Sequence, residues 1–218
     1  MKPILLINPN TNAGITAAML DIARESLPDA RVEGLTARFG APLITDETAL
    51  AEAGRAVLDL AQHIGKAAGV IVAAFGDPGL AALRARIALP ITGLAEAGMA
   101  EAGEGGRRFA VVTTTPDLVA AIARSAQAYG HGPAFLGTFL TPGDPRDVMA
   151  VPDRLVEALA EACSRAVKVG AEAVVIGGGP LAVAARALAG KRDVRLVEPL
   201  PSALRLAHRR AMMAESLA

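Results

Sequence analysis

The stretch VIVAAFGDPGLAAL, residues 70–83, decides the fold of this chain. Its first four residues are apolar and predict a buried β-strand, which is followed by the turn 75–79 and then by a helix. Asp77 is predicted to cap that helix at its N-terminus, and Pro78 occupies the first helical position, where its missing N–H costs nothing. A turn of this kind points free backbone N–H groups beyond the carboxyl end of the strand, where open α/β sheets bind their ligands.

The same construction returns in AVVIGGGPLAVAARAL, residues 173–188. Two further strand ends repeat the spacing, because Asn8 lies 66 residues before Ala74 and Thr113 lies 65 residues before Gly178. The chain therefore predicts two similar halves whose strand-end turns face one shared cleft. These turns are residues 8–11, 75–79, 113–117 and 177–180.

Strands and helices alternate through both halves, and the strands are continuous apolar runs, as is typical of parallel sheets covered by helices on both faces. The predicted fold class is α/β, with two similar subdomains that each hold a short parallel sheet flanked by helices, and with the active-site cleft between them. The closing helix Ser202–Met213 is expected to return to the first half, so the subdomains comprise residues 1–94 with 202–218, and 95–201. The segment Leu140–Pro152 is predicted to be an irregular loop.

Composition excludes several classes of protein. Hydrophobic residues make up 52% of the 218 residues, and 22 Lys and Arg residues balance 22 Asp and Glu residues. This disfavours disorder, a nucleic-acid surface and a polybasic membrane patch. Only four consecutive apolar residues, Ile4–Ile7, precede Asn8, so neither a signal peptide nor a transmembrane helix is expected there. We expect a cytoplasmic protein that binds neither nucleic acid nor a membrane.

The predicted strand-end turns carry Asn and Thr side chains and glycine N–H groups, but almost no cationic side chains. Such groups suit a small carboxylate, an amide or a cyclic imide. The triglycine Gly177–Gly179 does not match a P-loop, which disfavours a nucleotide. The residues expected to contact a small-molecule substrate are Asn8, Asn10, Thr11, Phe75, Gly76, Thr113, Thr114, Thr115, Gly177, Gly179 and Glu198.

These side chains also have structural interpretations. For Asn8 and Asn10 the alternative is an Asx turn before the helix, and for the threonines it is a strand end followed by a helix cap. Cys163, the single cysteine, excludes an internal disulfide and a Cys-based zinc cluster, and it is expected to be a buried, inert apolar residue. No metal site is expected, because no two of the three histidines are close in sequence.

Five segments resemble the aspartate/glutamate racemase superfamily, and most closely its hydantoin and allantoin racemase branch. They are INPNT (7–11), FGDPGL (75–80), TGLAEA (92–97), VVTT (111–114) and AEAVVIG (171–177), so the resemblance covers nearly the whole chain. It implies a two-domain α/β fold whose C-terminal helix returns to the first domain. It also implies chemistry without a cofactor, at an acidic carbon next to a carbonyl, and a homo-oligomer.

In that family two cysteines face each other across the substrate, so that one thiolate removes the α-proton and the other thiol delivers a proton to the opposite face. The resemblance implies that their positions here are Ala74 and Gly178, and neither residue has a side chain that can move a proton. Ordinary two-thiol racemisation is therefore not expected. Asp77 could act as a base instead, although an N-cap is the favoured interpretation.

Because the two implied cysteine positions lack a thiol, the sequence leaves two possible functions. The first is a racemase-like enzyme that acts on a hydantoin-like cyclic amide or a small carboxylate by other chemistry, such as one-base proton transfer, another isomerisation, or a lyase or hydrolytic step. The second is a catalytically inactive homologue that binds a small ligand or has a regulatory role. Exchange of the substrate α-proton with D2O distinguishes the two.

Overall fold

The computed structural model of the chain describes residues 2–178, 181–188 and 194–216. The chain divides into two compact units, which are Met1–Ala97 with Leu200–Ala218, and Gly98–Pro199. The subdomain boundaries drawn from the sequence, at residues 94 and 202, stay a prediction.

A parallel sheet forms the centre of the first unit. Its strands are β1 (Ile4–Asn8), β2 (Val32–Thr36), β3 (Gly69–Val72) and β4 (Ile91–Gly93), in the order β2-β1-β3-β4. The helices that follow these strands are α1 (Ala13–Ser26), α2 (Glu47–Leu60), α3 (Leu80–Arg84) and α4 (Leu94–Ala102). The central strands β1 and β3 are buried throughout, which is why both are apolar runs without alternation.

The second unit repeats this arrangement. Its strands are β5 (Phe109–Thr113), β6 (Phe135–Leu140), β7 (Ala173–Ile176) and β8 (Arg195–Val197), all parallel and in the order β6-β5-β7-β8. The helices of this part of the chain are α5 (Val119–Ala128), α6 (Pro145–Ala150), α7 (Pro152–Lys168) and α8 (Ala182–Leu188). The predicted fold class, α/β with two similar units that each hold a short parallel sheet flanked by helices, is confirmed.

The last helix, α9 (Pro199–Ser216), begins three residues before the predicted start and contributes its residues from Leu200 onward to the first unit. Its buried face packs near the beginning of β3, because a Cβ atom at Gly69 would lie 3.9 Å from the Ala207 carbonyl oxygen and from the Ala211 side chain. Ala207 is 1% exposed and Ala211 is 4% exposed. Small residues therefore allow α9 to approach the sheet closely.

The prediction of an irregular loop over Leu140–Pro152 is wrong, because this segment contains α6. Asp144 caps α6 by accepting a hydrogen bond from the Arg146 N–H (2.8 Å), and Pro145 occupies the first helical position. The sequence Asp144-Pro145 is the same start signal that was used elsewhere in the chain. The helix was missed because it is only six residues long, which is too short to show a 3.6-residue apolar period.

Candidate functional site

In the turn after β3, the Asp77 side chain has hydrogen-bond partners other than those predicted. Asp77 does not cap α3, whose N-cap is Gly79, without a side-chain hydrogen bond. Its carboxylate instead accepts hydrogen bonds from the N–H groups of Ala95 (2.9 Å) and Glu96 (2.8 Å), in the first turn of α4. Asp77 has a left-handed backbone (φ 51°) and lies beside the end of the neighbouring strand β4. The prediction that the Asp77 side chain accepts N–H groups at the start of a helix is correct, but the helix is α4 and not α3.

Two glycines permit this turn. A Cβ atom at Gly93 would overlap the Asp77 carboxyl group, so the residue after Thr92 must lack a side chain while Asp77 keeps its position. Gly79 has φ 73°, and a Cβ atom there would lie 2.8 Å from the Gly54 carbonyl oxygen of α2. The segments FGDPGL and TGLAEA are therefore two parts of one hydrogen-bonded structure.

A charged cluster holds the other side of the β4–α4 junction. The Glu96 carboxylate accepts hydrogen bonds from Arg84 of α3 (2.7 Å and 2.8 Å), from Arg210 of α9 (2.9 Å and 3.1 Å) and from the Gly93 N–H (3.1 Å). Burial raises the pKa of Glu96, but the hydrogen bonds from Arg210, Arg84 and Gly93 outweigh it and lower the pKa from 4.5 to about 2. Glu96 therefore stays ionised at neutral pH.

The turn after β1 uses its asparagines internally. The Asn8 side chain is fully buried, and its Nδ2 lies within hydrogen-bond distance of Asn10 Oδ1 (3.0 Å), the Asn12 carbonyl oxygen (3.2 Å) and Thr16 Oγ1 (2.9 Å). Its Oδ1 accepts from the Asn10 N–H (3.2 Å), which is an Asx turn. Asn8 has no unused polar atom for a ligand, so the structural interpretation of this residue accounts for all of its contacts.

Asn10 differs from Asn8 in one respect. Its Oδ1 accepts from Asn8 Nδ2 and from the Asn12 N–H (2.9 Å), whereas its Nδ2 donates to no atom of the described residues. Asn10 is 7% exposed. The N–H of the half-buried Thr11 donates to the Ala41 carbonyl oxygen (3.2 Å). Of the polar side chains predicted in this turn, the Asn10 amide group has donor capacity to spare.

Of the threonines at the end of β5, Thr113 and Thr114 are buried and Thr115 is half-buried. Thr113 is 2% exposed, and its Oγ1 lies 3.0 Å from Thr115 Oγ1. Thr114 is 3% exposed and donates to Met149 Sδ of α6 (3.6 Å), a weak acceptor. Thr115 occupies the N-cap position of a short 3₁₀ helix without a side-chain cap bond.

Ala74 and Gly178, the positions that the resemblance implies for the two cysteines, are equivalent in the two units. Each is the second residue after the third strand of its sheet, β3 or β7. Ala74 is half-buried. Gly178 has φ 148°, and a Cβ atom there would lie 3.2 Å from Leu181 Cγ and Cδ1. A side chain at residue 178 is therefore strained by the backbone as well as crowded.

The structure brings the predicted strand ends together within each unit. In the first unit the Ala73 N–H donates to the Ile7 carbonyl oxygen (2.8 Å), so the turn after β3 lies beside the turn after β1. In the second unit the Gly177 N–H donates to the Val112 carbonyl oxygen (2.8 Å), which joins the ends of β7 and β5. Gly179 lies outside the described residues.

Phe75 and Gly76 shape the first of these edges. Phe75 is 8% exposed, so it contributes packing more than open surface. Gly76 has φ 108°, and a Cβ atom there would lie 3.2 Å from Leu50 Cδ1 of α2. Both residues lie in the turn after β3, as predicted, and Gly76 lies close to α2.

Three further residues with ionisable side chains are held by contacts within the fold. Glu198 Oε2 lies 3.4 Å from Arg186 Nε of α8, so its carboxylate is ion-paired. His131 is half-buried with its ring edge against Phe109 (5.8 Å between centroids, 82° between planes), and burial lowers the pKa of its imidazole. Cys163 is 1% exposed in the core of the second unit. The expectation that this thiol is buried is confirmed.

Sequence reasoning missed Thr141, which directly follows β6. Its N–H donates to the Thr113 carbonyl oxygen (3.0 Å), so it lies at the same sheet edge as the predicted threonines. A polar residue immediately after a strand was the signal used at Asn8 and Thr113, and it would have found Thr141 had the end of β6 been placed at Leu140.

Within residues 2–178, 181–188 and 194–216, no group of three or more His, Cys, Asp or Glu side chains is placed to hold a metal ion. In the same ranges, no helix has both the length and the apolar character needed to cross a bilayer.

Comparisons with known proteins fit this geometry. A hydantoin racemase from Pseudomonas sp. (strain NS671) is 27% identical over 94% of this chain and 84% of its own length, and a hydantoin racemase from Paenarthrobacter aurescens is 27% identical over 94% and 89%. The solved structure of an allantoin racemase from Klebsiella pneumoniae matches 98% of this chain and 89% of its own, with 28% identity and a TM-score of 0.88.

Two parallel sheets of equal strand order, each flanked by helices, thus give this chain the α/β fold of the allantoin racemase structure. The family model described as Asp/Glu/Hydantoin racemase matches residues 4–207, and the chain belongs to that family. The resemblance to the superfamily and to its hydantoin branch, inferred from five short segments, is confirmed.

Proposed function

We propose that this protein binds a small cyclic amide of the hydantoin type, and that it acts on the ring without a cofactor and without the two-thiol mechanism of racemisation. The substrate class is supported by the hydantoin and allantoin racemases among its relatives, because allantoin itself contains a hydantoin ring. Spare donors at the strand ends, such as Asn10 Nδ2, suit the carbonyl oxygens of such a ring.

One observation supports the proposal that the protein does not use the two-thiol mechanism of racemisation. Racemisation by two bases needs a proton-transferring group on each face of the α-carbon. Ala74 offers a methyl group and Gly178 offers no side chain at all. The backbone of Gly178 (φ 148°) also disfavours any residue with a Cβ atom, so the turn after β7 is built for glycine. Proton exchange at one face, or another isomerase, lyase or hydrolytic step, remains open to such a site.

The experiment is exchange of the α-proton of a 5-monosubstituted hydantoin in D2O, followed by NMR, with the enantiomer ratio measured on a chiral column. We expect exchange above the protein-free rate with retention of the starting enantiomer, since only one face is served. Racemisation together with exchange would contradict the proposal. The wild-type protein heated past unfolding serves as the control.

Asp77 stays a candidate base, and Asp77→Asn tests that role. Both Asp77 oxygens accept N–H groups of α4, which favours a positioning role, because each oxygen is already engaged in a hydrogen bond within the fold. We expect Asp77→Asn to lower the free energy of unfolding by about 1–2 kcal/mol while a folded fraction keeps its exchange activity. Asp46→Asn, at the N-cap of α2, is the matched control. Complete loss of exchange in folded Asp77→Asn would assign the base to Asp77.

A second function has its own support. Because Glu198 is paired with Arg186 and Asp77 with α4, the two carboxylates predicted near the site are both engaged. This favours a homologue that binds the ring without catalysing a reaction on it. Absence of exchange, together with a rise in melting temperature on addition of the hydantoin, would identify that function.

We further propose that the protein is a homo-oligomer, as the resemblance implies. Sedimentation velocity measures its oligomeric state.

A further inference from the structure

We propose that Thr141 is a ligand-contact residue, whose hydroxyl group forms a hydrogen bond with the bound ring. The inference rests on the proposed function, because the ligand is the hydantoin-type ring assigned there. Thr141 follows β6 directly, and its N–H donates to the Thr113 carbonyl oxygen (3.0 Å). It therefore lies at the carboxyl edge of the second sheet, where parallel α/β sheets bind ligands.

The hydroxyl group of Thr141 forms no hydrogen bond within the described residues. Thr141 is 7% exposed, and its Oγ1 is buried without a hydrogen-bond partner among the described residues. Native proteins rarely leave a buried hydroxyl unpaired, because the group loses its bonds to water and gains nothing in return. Neighbouring hydroxyls at this edge do have partners, since Thr113 pairs with Thr115 and Thr114 with Met149.

A hydantoin-type ring can supply the hydrogen-bond partner that the Thr141 hydroxyl group lacks. The ring carries carbonyl oxygens that accept hydrogen bonds and N–H groups that donate them, and a threonine hydroxyl can do either. Because the Thr141 oxygen is out of reach of bulk water, the ring reaches it only if the chain after β6 moves on binding. Addition of the ring is therefore expected to change amide hydrogen exchange in residues 141–150.

Thr138 provides a matched control in the same strand. Its Oγ1 is also buried without a partner among the described residues, but Thr138 lies inside β6, opposite Val111. It is three residues before Thr141, which corresponds to about 10 Å along a strand. Removing its hydroxyl group tests what an unpaired threonine costs the fold, at a distance from the sheet edge.

The experiment compares Thr141→Val, Thr141→Ser and Thr138→Val with the wild type. Affinity for a 5-monosubstituted hydantoin is measured by calorimetry, and stability without ligand by urea unfolding. We expect Thr141→Val to raise Kd about fivefold to tenfold, the usual effect of one lost hydrogen bond, without loss of stability. Thr141→Ser keeps the hydroxyl group and should restore most of the affinity, and Thr138→Val should leave Kd unchanged.

The failures are distinguishable. If the wild type binds the hydantoin and Thr141→Val binds it equally well, the role of Thr141 is wrong while the proposed function stands. If Thr141→Val loses stability and keeps its Kd, the hydroxyl group is structural, which also overturns the inference. If the wild type binds no hydantoin, the proposed function fails, and the ligand assigned to Thr141 fails with it.

Discussion

At the scale of single residues, the backbone at Gly178 decides which side chains the turn after β7 accepts. The φ of 148° lies in a region that L-residues rarely adopt, and Leu181 occupies the space next to the missing Cβ atom. Ala74, the equivalent residue after β3, is not among the residues with positive φ. The two equivalent positions therefore differ in how easily they could hold a cysteine.

We expect Gly178→Ala to lower the free energy of unfolding by about 1–3 kcal/mol, because the new Cβ atom meets a strained backbone. Gly137→Ala is the matched control, since Gly137 has φ 121° but no atom within 4 Å of its would-be Cβ atom. The difference between the two variants in urea unfolding reports the contact with Leu181. Unchanged stability of Gly178→Ala would contradict the strain.

The same residue limits an attempt to restore racemisation. Ala74→Cys should change stability by about 0.5 kcal/mol or less, whereas Gly178→Cys carries the strain described above. A folded Ala74→Cys/Gly178→Cys variant is expected to racemise a 5-monosubstituted hydantoin, since it would then have a thiol at both implied positions. A folded double variant without racemisation would show that those positions are not where the family's cysteines lie.

At the scale of secondary-structure elements, the junction of β4 and α4 joins three parts of the first unit. Asp77 reaches it from the turn after β3, Arg84 from α3 and Arg210 from α9. Arg210 Nη1 also donates to Thr92 Oγ1 (3.0 Å). A short strand of three residues is thus fixed by hydrogen bonds from its neighbours more than by its own length.

We expect Glu96→Gln to lower the free energy of unfolding at pH 7 by about 2 kcal/mol. The pKa of Glu96 is lowered from 4.5 to about 2, so its stabilising effect is complete above about pH 4.5 and disappears as the pH falls towards 2. The stabilities of wild type and variant should therefore converge between pH 4.5 and 2 in urea unfolding. Parallel curves over that range would contradict the assignment.

Glu172→Gln is the control for this pH series. Glu172 and Arg108 form an exposed pair in the second unit (3.7 Å, with 55% and 56% of the side chains exposed). Exposed pairs contribute little, so the stability of this variant should differ from that of the wild type by about 0.5 kcal/mol or less.

Most of the elements, α6 excepted, could be read from the sequence, and the contacts between them could not. Continuous apolar runs such as Val70–Ala73 predicted the strands, because this signal lies within a few neighbouring residues. Asp77 accepts hydrogen bonds from the N–H groups of Ala95 and Glu96 instead of capping α3. These contacts form because β3 and β4 are adjacent in the sheet, which the local sequence does not show. The spare hydroxyl of Thr141 was likewise visible only from its surroundings.

At the scale of the whole molecule, the first unit is assembled from both ends of the chain. Its sheet comes from the first 97 residues, whereas α9 supplies Ala207, Arg210 and Ala211 from the other end. The second unit is continuous in sequence between them. The first unit therefore cannot complete its packing until the last helix has been made.

A chain that ends after residue 205 should lose the packing of the first unit selectively. It lacks Ala207 and Ala211, which lie near β3, and Arg210, which pairs with Glu96. We expect amide hydrogen exchange to become fast in β3 and β4 while β5 and β7 stay protected. A chain that ends after Ala211 removes exposed residues such as Met212 and Met213 and should behave like the wild type. Equal loss of protection in both units would contradict this.

The close approach of the Asp77 carboxyl group to Gly93 has an evolutionary consequence. A methyl group at residue 93 is excluded while the aspartate is present, and the aspartate loses its partners if the start of α4 moves away to make room. Residue 93 therefore cannot gain a side chain while Asp77 is retained. Homologues that lack glycine at residue 93 should therefore also lack the acid at residue 77, although the two residues lie 16 positions apart in the sequence.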